Sequence, residues 1–144
     1  MFKHILVPTD GSELSLEAVK AGVEFARETG ARITFVTVTL PFPYSPLIGF
    51  APQVQATYEA GSRELAKEHL AQAVKLAGDA GVANGSKTYQ HFSPYTCIIQ
   101  AAEEAGCDAI FMASHGRRGV SGLLLGSETQ KVLTHSKLPV IVYR

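Results

Sequence analysis

Short apolar runs alternate along the chain with longer stretches in which apolar residues recur every three or four positions. The runs are rich in Val, Ile, Thr and Phe, and they predict strands at residues 2–8, 32–40, 86–91, 109–113 and 138–144. The stretches with helical spacing predict helices over residues 13–29, 53–80 and 94–105, and a fourth from Ser127. Because right-handed crossovers pack helices on both faces of a parallel sheet, this alternation predicts an α/β, doubly wound fold in a single domain, 1–144.

Residues that start or stop helices mark several of the boundaries. Ser12 is the predicted N-cap of the first helix and Gly30 its C-terminal stop, while Ser93-Pro94 supplies a cap and then a proline at the first helical position. Pro41 to Pro52 contains four prolines and is predicted to be a loop. The apolar face of the long second helix is predicted to point inward with Tyr58, Leu65, Leu70, Ala73, Val74 and Ala77.

The stretch 108–136 carries the strongest functional signal. An apolar strand is followed by Gly116, Gly119, Gly122 and Gly126 with two arginines between them, and Ser127 then opens a helix. Ser127 and Gln130 have the spacing of a capping box, so Ser127 is the predicted N-cap. A helix start presents unpaired N–H groups and the positive end of the dipole, and glycines let an anion approach the backbone. The stretch therefore predicts a cradle for a polyphosphate.

A second group of polar residues follows the first predicted strand. Ligands of doubly wound sheets bind beyond the carboxyl ends of the strands, so Pro8-Thr9-Asp10 and residues 113–116 are expected to share a crevice if strands one and four are neighbours. Asp10 is interpreted either as a group for ribose hydroxyls or a hydrated Mg²⁺, or as a turn aspartate that accepts local N–H groups. His115 is placed to touch phosphate, although such a histidine more often orders its loop. Arg117 and Arg118 are interpreted as phosphate donors or as a solvated surface pair.

Composition and charge exclude several classes of function. The 144 residues carry 13 basic and 13 acidic side chains, and this balance gives no basic excess of the kind that binds nucleic acid. No apolar run approaches the ~20 residues needed to span a membrane. Cys97 and Cys107 lie too far apart along one predicted helix to form a disulfide, so the expected location is a reducing cytoplasm. The chain lacks a G-x4-G-K-[ST] loop, a G-x-S-x-G nucleophile motif and histidines at metal-ligand spacing, so neither a dedicated catalyst nor a metal site is expected.

With these motifs the sequence resembles the universal stress protein family, in its nucleotide-binding branch. That branch carries G-x2-G-x9-G-[ST] after the fourth strand, and this chain has Ala113-Ser114-His115-Gly116, nine residues, and Gly126-Ser127. Only the first glycine differs, and Ala113 stands there. The opening Ile-Leu-Val-Pro-Thr-Asp-Gly-Ser and the closing Leu-Pro-Val-Ile-Val are also similar to the family.

The resemblance implies a Rossmann-like domain of the adenine nucleotide alpha hydrolase type, with strand order 3-2-1-4-5. It implies binding of ATP, or of ADP or AMP, with Mg²⁺ held through the phosphates and the backbone of Val38 at the adenine. The resemblance assigns ligand contacts to Asp10, Val38, Ala113, Gly116, Gly126, Ser127 and Glu128. The crevice and the glycine loop described above add Pro8, Thr9, Ser114, His115, Arg117 and Gly119 to the predicted binding residues.

The resemblance also implies a downstream protein partner and a role in stress adaptation or regulation rather than catalysis. The last strand is expected at the sheet edge and residues 140–142 carry no charge, so the edge and the resemblance together favour a homodimer through strand 138–143 over a monomer. Two alternatives stay open. One is a dimeric interaction module that no longer binds nucleotide, which Ala113 and the apolar residues 123–125 favour. The other is a slow ATPase in which Asp10 or His115 orients water.

Overall fold

The computed structural model describes residues 1–47, 49, 51–116 and 125–144. Strands and helices alternate through this part of the chain, as the apolar pattern predicts. The elements are β1 (His4–Pro8), α1 (Glu13–Thr29), β2 (Arg32–Thr39), α2 (Pro52–Asp79), β3 (Asn84–Gln90), α3 (Pro94–Ala105), β4 (Ala109–Ala113), α4 (Ser127–His135) and β5 (Val140–Tyr143).

The five strands form one parallel sheet in the order β3-β2-β1-β4-β5, which confirms the predicted class and strand order. One face packs against α1 and α2 around Phe35, Val19 and Leu70. The other face packs against α3 and α4 around Val36, Ile98 and Val132. Because β1 lies between β2 and β4, the chain leaves the centre of the sheet in both directions, and the crossovers separate at the carboxyl end of β1. That is the place where doubly wound sheets form a crevice.

Several strands begin or end at residues other than those predicted, because pairing with the neighbouring strand sets their ends. β1 starts at His4 rather than residue 2, β2 ends at Thr39, and β5 covers Val140–Tyr143 only. β3 begins at Asn84, before the predicted start, because Asn84 and Gly85 pair with Ile33 and Thr34 of β2. Asparagine and glycine are poor strand formers, so the neighbouring strand decides this end.

Local signals placed the helix ends well, with one exception. The side chain of Ser12 accepts the N–H of Ser15, and Gly30 has a φ of 73°, as an N-cap and a C-terminal stop should. The capping box predicted for Ser127 and Gln130 is wrong. Gly126 is the N-cap of α4, Ser127 is the first helical residue, and Gln130 Nε2 donates to the carbonyl of Leu125 at 2.9 Å.

The loop between β2 and α2 ends one residue earlier than predicted, because Pro52 is the first residue of the helix. Within the described part of this loop, the buried ring of Phe42 makes edge contacts with Tyr44 and Tyr58, both at 5.5 Å between centroids. None of the helices that the structure describes combines the length and apolar character of a membrane span.

Candidate functional site

A cleft of about 590 Å³ lies beyond the carboxyl ends of β1, β2 and β4, within the range of roughly 300–1,000 Å³ that is typical of small-molecule sites. One wall is the N-terminal half of α2, and another is the start of α4. Most residues of the predicted site line this cleft: Pro8, Thr9, Asp10, Val38, Ala113, His115, Gly116, Gly126, Ser127 and Glu128.

The loop after β1 is held rigidly at the base of the cleft. Thr9 is buried, its N–H donates to the carbonyl of Val36 at 2.8 Å, and its hydroxyl accepts the hydroxyl of Ser15 at 3.0 Å. Asp10 N–H donates to Ser15 Oγ at 3.1 Å, and Asp10 Oδ1 accepts the N–H of Ser12 at 2.9 Å. Asp10 therefore acts as the turn aspartate that was one of its two interpretations, and this contact uses Oδ1.

The other carboxylate oxygen of Asp10 faces Gly116. A Cβ atom at Gly116 would collide with Asp10 Oδ2, so the backbone of Gly116 lies directly against this oxygen. A side chain at position 116 would displace the carboxylate from the cleft. The residues that follow β1 and β4 are therefore in contact at Asp10 and Gly116.

The peptide groups of Val38 point toward the same cleft. The ladder between β1 and β2 ends at the pair Pro8–Val36, beyond which Thr9 N–H donates to Val36 O. Peptide groups two residues apart in a strand point the same way, so the N–H and C=O of Val38 point to the same side of β2 as those of Val36. At Val38, however, β1 has already ended, and these groups face the cleft. On the opposite side, Thr39 O accepts the N–H of His91 from the β3 side at 3.0 Å.

Three contacts anchor the start of α4 beside β4. Gly126 N–H donates to Ser114 O at 2.7 Å, and Thr129 Oγ1 donates to Ala113 O at 3.0 Å. A Cβ atom at Gly126 would lie 3.0 Å from Cα and Cβ of His115, so a small residue is needed for this close approach. The φ of Gly126 is −64°, and the conformation itself does not require glycine. The N–H groups of Ser127, Glu128 and Thr129 are in the first turn, where a helix offers no internal acceptors.

Two predicted residues, Ser114 and His115, make contacts that order the loop after β4, and of these two only His115 also lines the cleft. Ser114 is buried and does not line the cleft, and its N–H donates to Tyr143 O at 2.7 Å. His115 Nδ1 and Ser114 Oγ are 3.2 Å apart, so the ring of His115 is held by its own loop. This contact favours the loop-ordering interpretation of His115.

The carboxylate of Glu128 is turned toward α3. Its Oε2 accepts the N–H of Tyr95 at 2.8 Å, and its Oε1 lies 3.3 Å from Lys131 Nζ. The side chain of Ser93, at the N-cap of α3, makes no capping bond. Glu128 thus caps α3 from a neighbouring helix.

Sequence reasoning missed the wall that α2 contributes. Tyr58, Ser62, Leu65, Ala66 and His69 line the cleft at spacings of three and four residues along this helix. The prediction that Leu65 points into the core is wrong, because Leu65 is 47% exposed and Ala66 is buried in its place. The ring of His69 packs directly over Gly11, so that a Cβ atom at Gly11 would overlap it. Helical periodicity alone does not distinguish a core face from a cleft face, which is why Tyr58 and Leu65 are predicted to lie in the core.

The charged side chains that line the described part of the cleft are acidic. Asp10 and Glu128 line it together with His69 and His115, and no lysine or arginine among the described residues does so. Arg117 and Gly119, which were predicted to bind the ligand, lie outside the described residues, as do Arg118 and residues 123 and 124. Within the same part of the chain, no three His, Cys, Asp or Glu residues come together as a metal site.

The two cysteines are free and buried, away from the cleft. Burial raises the pKa of the Cys97 thiol. Burial, together with the charge of Asp108, raises the pKa of Cys107 to about 11. Both thiols are therefore kept protonated at neutral pH, which does not suit a nucleophile.

Fold and cleft define a doubly wound α/β protein with a ligand-sized cleft at its topological switch point. The family model described as "Universal stress protein family" matches residues 1–144. This chain belongs to the universal stress protein family.

Individual relatives match this chain over nearly its whole length. Universal stress protein MJ0531 of Methanocaldococcus jannaschii is 31% identical over 147 residues, which cover 100% of this chain and 83% of the relative. Among solved structures, hypothetical protein MJ0577 superposes with a TM-score of 0.81 at 29% identity, covering 99% of this chain and 95% of the other. A universal stress protein in complex with cAMP superposes with a TM-score of 0.72 at 25% identity, covering 99% and 97%.

Proposed function

We propose that this protein binds an adenine nucleotide in the cleft and acts in stress adaptation or regulation, and that it is not primarily a catalyst. The observation that carries the proposal is the convergence of three chain segments on one cleft: the Pro8–Asp10 turn, the Val38 peptide groups and the start of α4. These segments are far apart in the sequence, and only the parallel sheet brings their ends together. The solved relative that contains cAMP supports an adenine nucleotide as the ligand class.

The order of the strands suggests how the nucleotide lies. The base sits over β2, where the Val38 N–H and C=O offer one donor and one acceptor to an adenine edge. The ribose lies over the end of β1, beside Asp10 Oδ2. The phosphates reach the first turn of α4, whose N–H groups attract anions. In this arrangement Glu128 contributes its N–H and not its carboxylate, because both carboxylate oxygens already contact Tyr95 and Lys131.

The acidic character of the described cleft bears on the ligand's charge. A triphosphate carries several negative charges close to Asp10, so we propose that ATP binds with Mg²⁺, which would be held through the phosphates. AMP or ADP would need less neutralisation. Arg117 and Gly119 remain proposed phosphate ligands.

Alanine at the first motif position is compatible with this arrangement. Ala113 ends β4, pairs with Tyr143, and holds Thr129 through its carbonyl. No non-glycine residue of the described chain has a positive φ, so Ala113 occupies ordinary backbone space. We place the protein in a reducing cytoplasm, which the two free cysteines support.

The first test is whether the purified protein contains or binds nucleotide. Absorbance ratio and chromatography after denaturation would identify a resident AMP, ADP or ATP, and calorimetric titration with each, with and without Mg²⁺, would give the affinities. We expect binding of at least one of the three, and a Mg²⁺ requirement for ATP. If none binds under any condition, the cleft is not a nucleotide site, and the dimeric interaction module becomes the better interpretation.

The second test alters the cradle. Gly126→Val would push the α4 N-terminus away from His115, because even a Cβ atom at 126 lies 3.0 Å from His115 Cα. We expect binding to weaken at least tenfold, which corresponds to about 1.4 kcal/mol. Gly85→Val is the matched control, since Gly85 lies in β3 outside the cleft and a Cβ atom there meets nothing within 4 Å. Circular dichroism of both variants checks the fold. If both variants are folded and bind the nucleotide with equal affinity, the phosphates do not bind at the start of α4.

A further inference from the structure

We propose that Phe92 is a stacking platform for the base of the bound nucleotide. The inference rests on the proposed function and assigns a residue that none of the sequence motifs includes. It follows from the way the strand order distributes polar and apolar groups along the cleft, and from the exposure of the Phe92 side chain.

The cleft has a polar end and an apolar end. Asp10, Gly116 and Ser127 lie where β1, β4 and α4 meet, and Leu40 and Phe92 follow β2 and β3. Because β3 and β4 are three positions apart in the sheet, these two ends are separated by about 14 Å, at about 4.8 Å per strand spacing. If phosphates occupy the polar end, the base occupies the end that contains Phe92.

Contacts on both sides fix the backbone around Phe92. His91 N–H donates to Thr39 O at 3.0 Å, which is the last bond between β3 and β2. Ser93 N–H then donates to His91 Nδ1 at 2.9 Å, and α3 begins at Pro94. Phe92 therefore lies two residues beyond the end of β3 and two residues before the start of α3, so its ring is presented from a defined position.

The ring itself is left largely uncovered. Phe92 is 68% exposed, and Leu40, which follows the neighbouring strand β2, is 36% exposed. Exposed apolar side chains grouped at one end of a cleft mark a binding surface. An aromatic ring in this position suits a nucleobase, because stacking buries one flat face of the ring against one flat face of the base and is possible for any base. Stacking would supply affinity, and the Val38 peptide edge would supply the preference for adenine.

The chain offers a direct optical test, because it contains no tryptophan. Phe92→Trp creates a single-tryptophan protein in which the indole would stack on the base. We expect AMP to quench its fluorescence with the same affinity that calorimetry gives for AMP. Leu133→Trp is the matched control, since Leu133 is exposed on α4 and does not line the cleft, and its fluorescence should not change with AMP.

A binding measurement completes the test. Phe92→Ala should weaken AMP and ATP by the same factor, at least about fivefold, equivalent to about 1 kcal/mol. Phe92→Tyr, which keeps the aromatic face, should retain the parent's affinity. If the parent binds AMP but Phe92→Ala binds it equally well, or if AMP leaves the Phe92→Trp signal unchanged, Phe92 is not the platform although the proposed function stands. If the parent binds none of AMP, ADP and ATP, the proposed function itself fails, and this inference fails with it.

Discussion

At the amino ends of the strands, single side chains tie the sheet together on the edge opposite the cleft. Asp108 accepts the N–H of Lys3 at 2.8 Å and that of His4 at 3.2 Å, which joins the starts of β1 and β4. His4 Nε2 lies 2.8 Å from Thr34 Oγ1 on β2. Burial lowers the pKa of His4, and the charge of Arg32 lowers it further, while the charge of Asp108 acts in the opposite direction.

The lowered pKa of His4 predicts how stability depends on pH. Between the folded pKa and the ordinary value of 6.5, the unfolded chain binds the His4 proton and the folded chain does not. The contribution of His4 is therefore fully present above pH 6.5 and is lost as the pH falls below it. We expect the free energy of unfolding, measured with urea, to decrease from pH 7 to pH 5, and His4→Gln to reduce that decrease.

Replacing an exposed histidine provides the comparison for His4. His91→Gln replaces an exposed histidine of the β3–α3 turn, and its unfolding profile from pH 7 to pH 5 is measured beside that of His4→Gln. A His4→Gln profile with the same slope as the parent would contradict the assignment of the effect to His4.

At the scale of elements, α3 depends on α4 for its N-terminal cap. Because Ser93 makes no capping bond, the Tyr95 N–H relies on Glu128 Oε2. The adjacent contacts also join the two helices: Tyr95 and His135 have ring centroids 5.1 Å apart, and Lys131 Nζ lies 5.6 Å from the Tyr95 ring.

Removal of this cap should destabilise the protein. Glu128→Ala leaves the Tyr95 N–H without its acceptor, and we expect the free energy of unfolding to fall by about 0.5–2 kcal/mol, as for other caps. Glu128→Gln keeps an acceptor oxygen and should recover most of this loss. Glu103→Ala, at an exposed position of α3, should change stability by less than about 0.5 kcal/mol. Denaturant unfolding would measure all three, and equal values for Glu128→Ala and Glu103→Ala would show that the cap contributes nothing.

At the scale of the whole molecule, β5 ends the sheet. Within the described chain no strand pairs with its outer side, and it is four uncharged residues long. The carbonyls of Pro139 and Tyr143 accept N–H groups from the β4 side, from Ile110 and Ser114. Because peptide groups alternate, Val140 and Val142 present their N–H and C=O groups outward. Such an edge favours pairing, and we propose a homodimer in which β5 pairs antiparallel with its copy across a two-fold axis.

A proline on the outward side tests this dimer. Val142→Pro removes one outward N–H donor without removing a bond to β4, and proline is tolerated on the solvent side of an edge strand. We expect light scattering to find the parent dimeric at micromolar concentration and Val142→Pro mainly monomeric. Val142→Ala keeps the N–H and should remain dimeric. A monomeric parent, or a dimeric Val142→Pro variant, would exclude pairing through β5.

Several parts of this structure follow from the sequence alone. The α/β order, the bounds of β4 and the ends of α1 were predicted correctly, because each depends on local signals. These signals are an apolar run, a 3.6-residue period, the Ser12 cap and the left-handed Gly30. Pro8–Asp10, Gly116 and Gly126 line one cleft, in keeping with the expectation that strand ends in a parallel sheet meet at one edge.

Only the tertiary structure decided the details of the site. Gly126 rather than Ser127 caps α4, because Gly126 packs against His115 and its N–H donates to Ser114 O. Glu128 points to α3 because Tyr95 offers it an N–H. Leu65 is exposed, although its spacing is that of a core residue, because this part of α2 lies over the cleft. Each of these depends on contact between elements far apart in the chain, and local periodicity and capping signals contain no information about which distant groups will be neighbours.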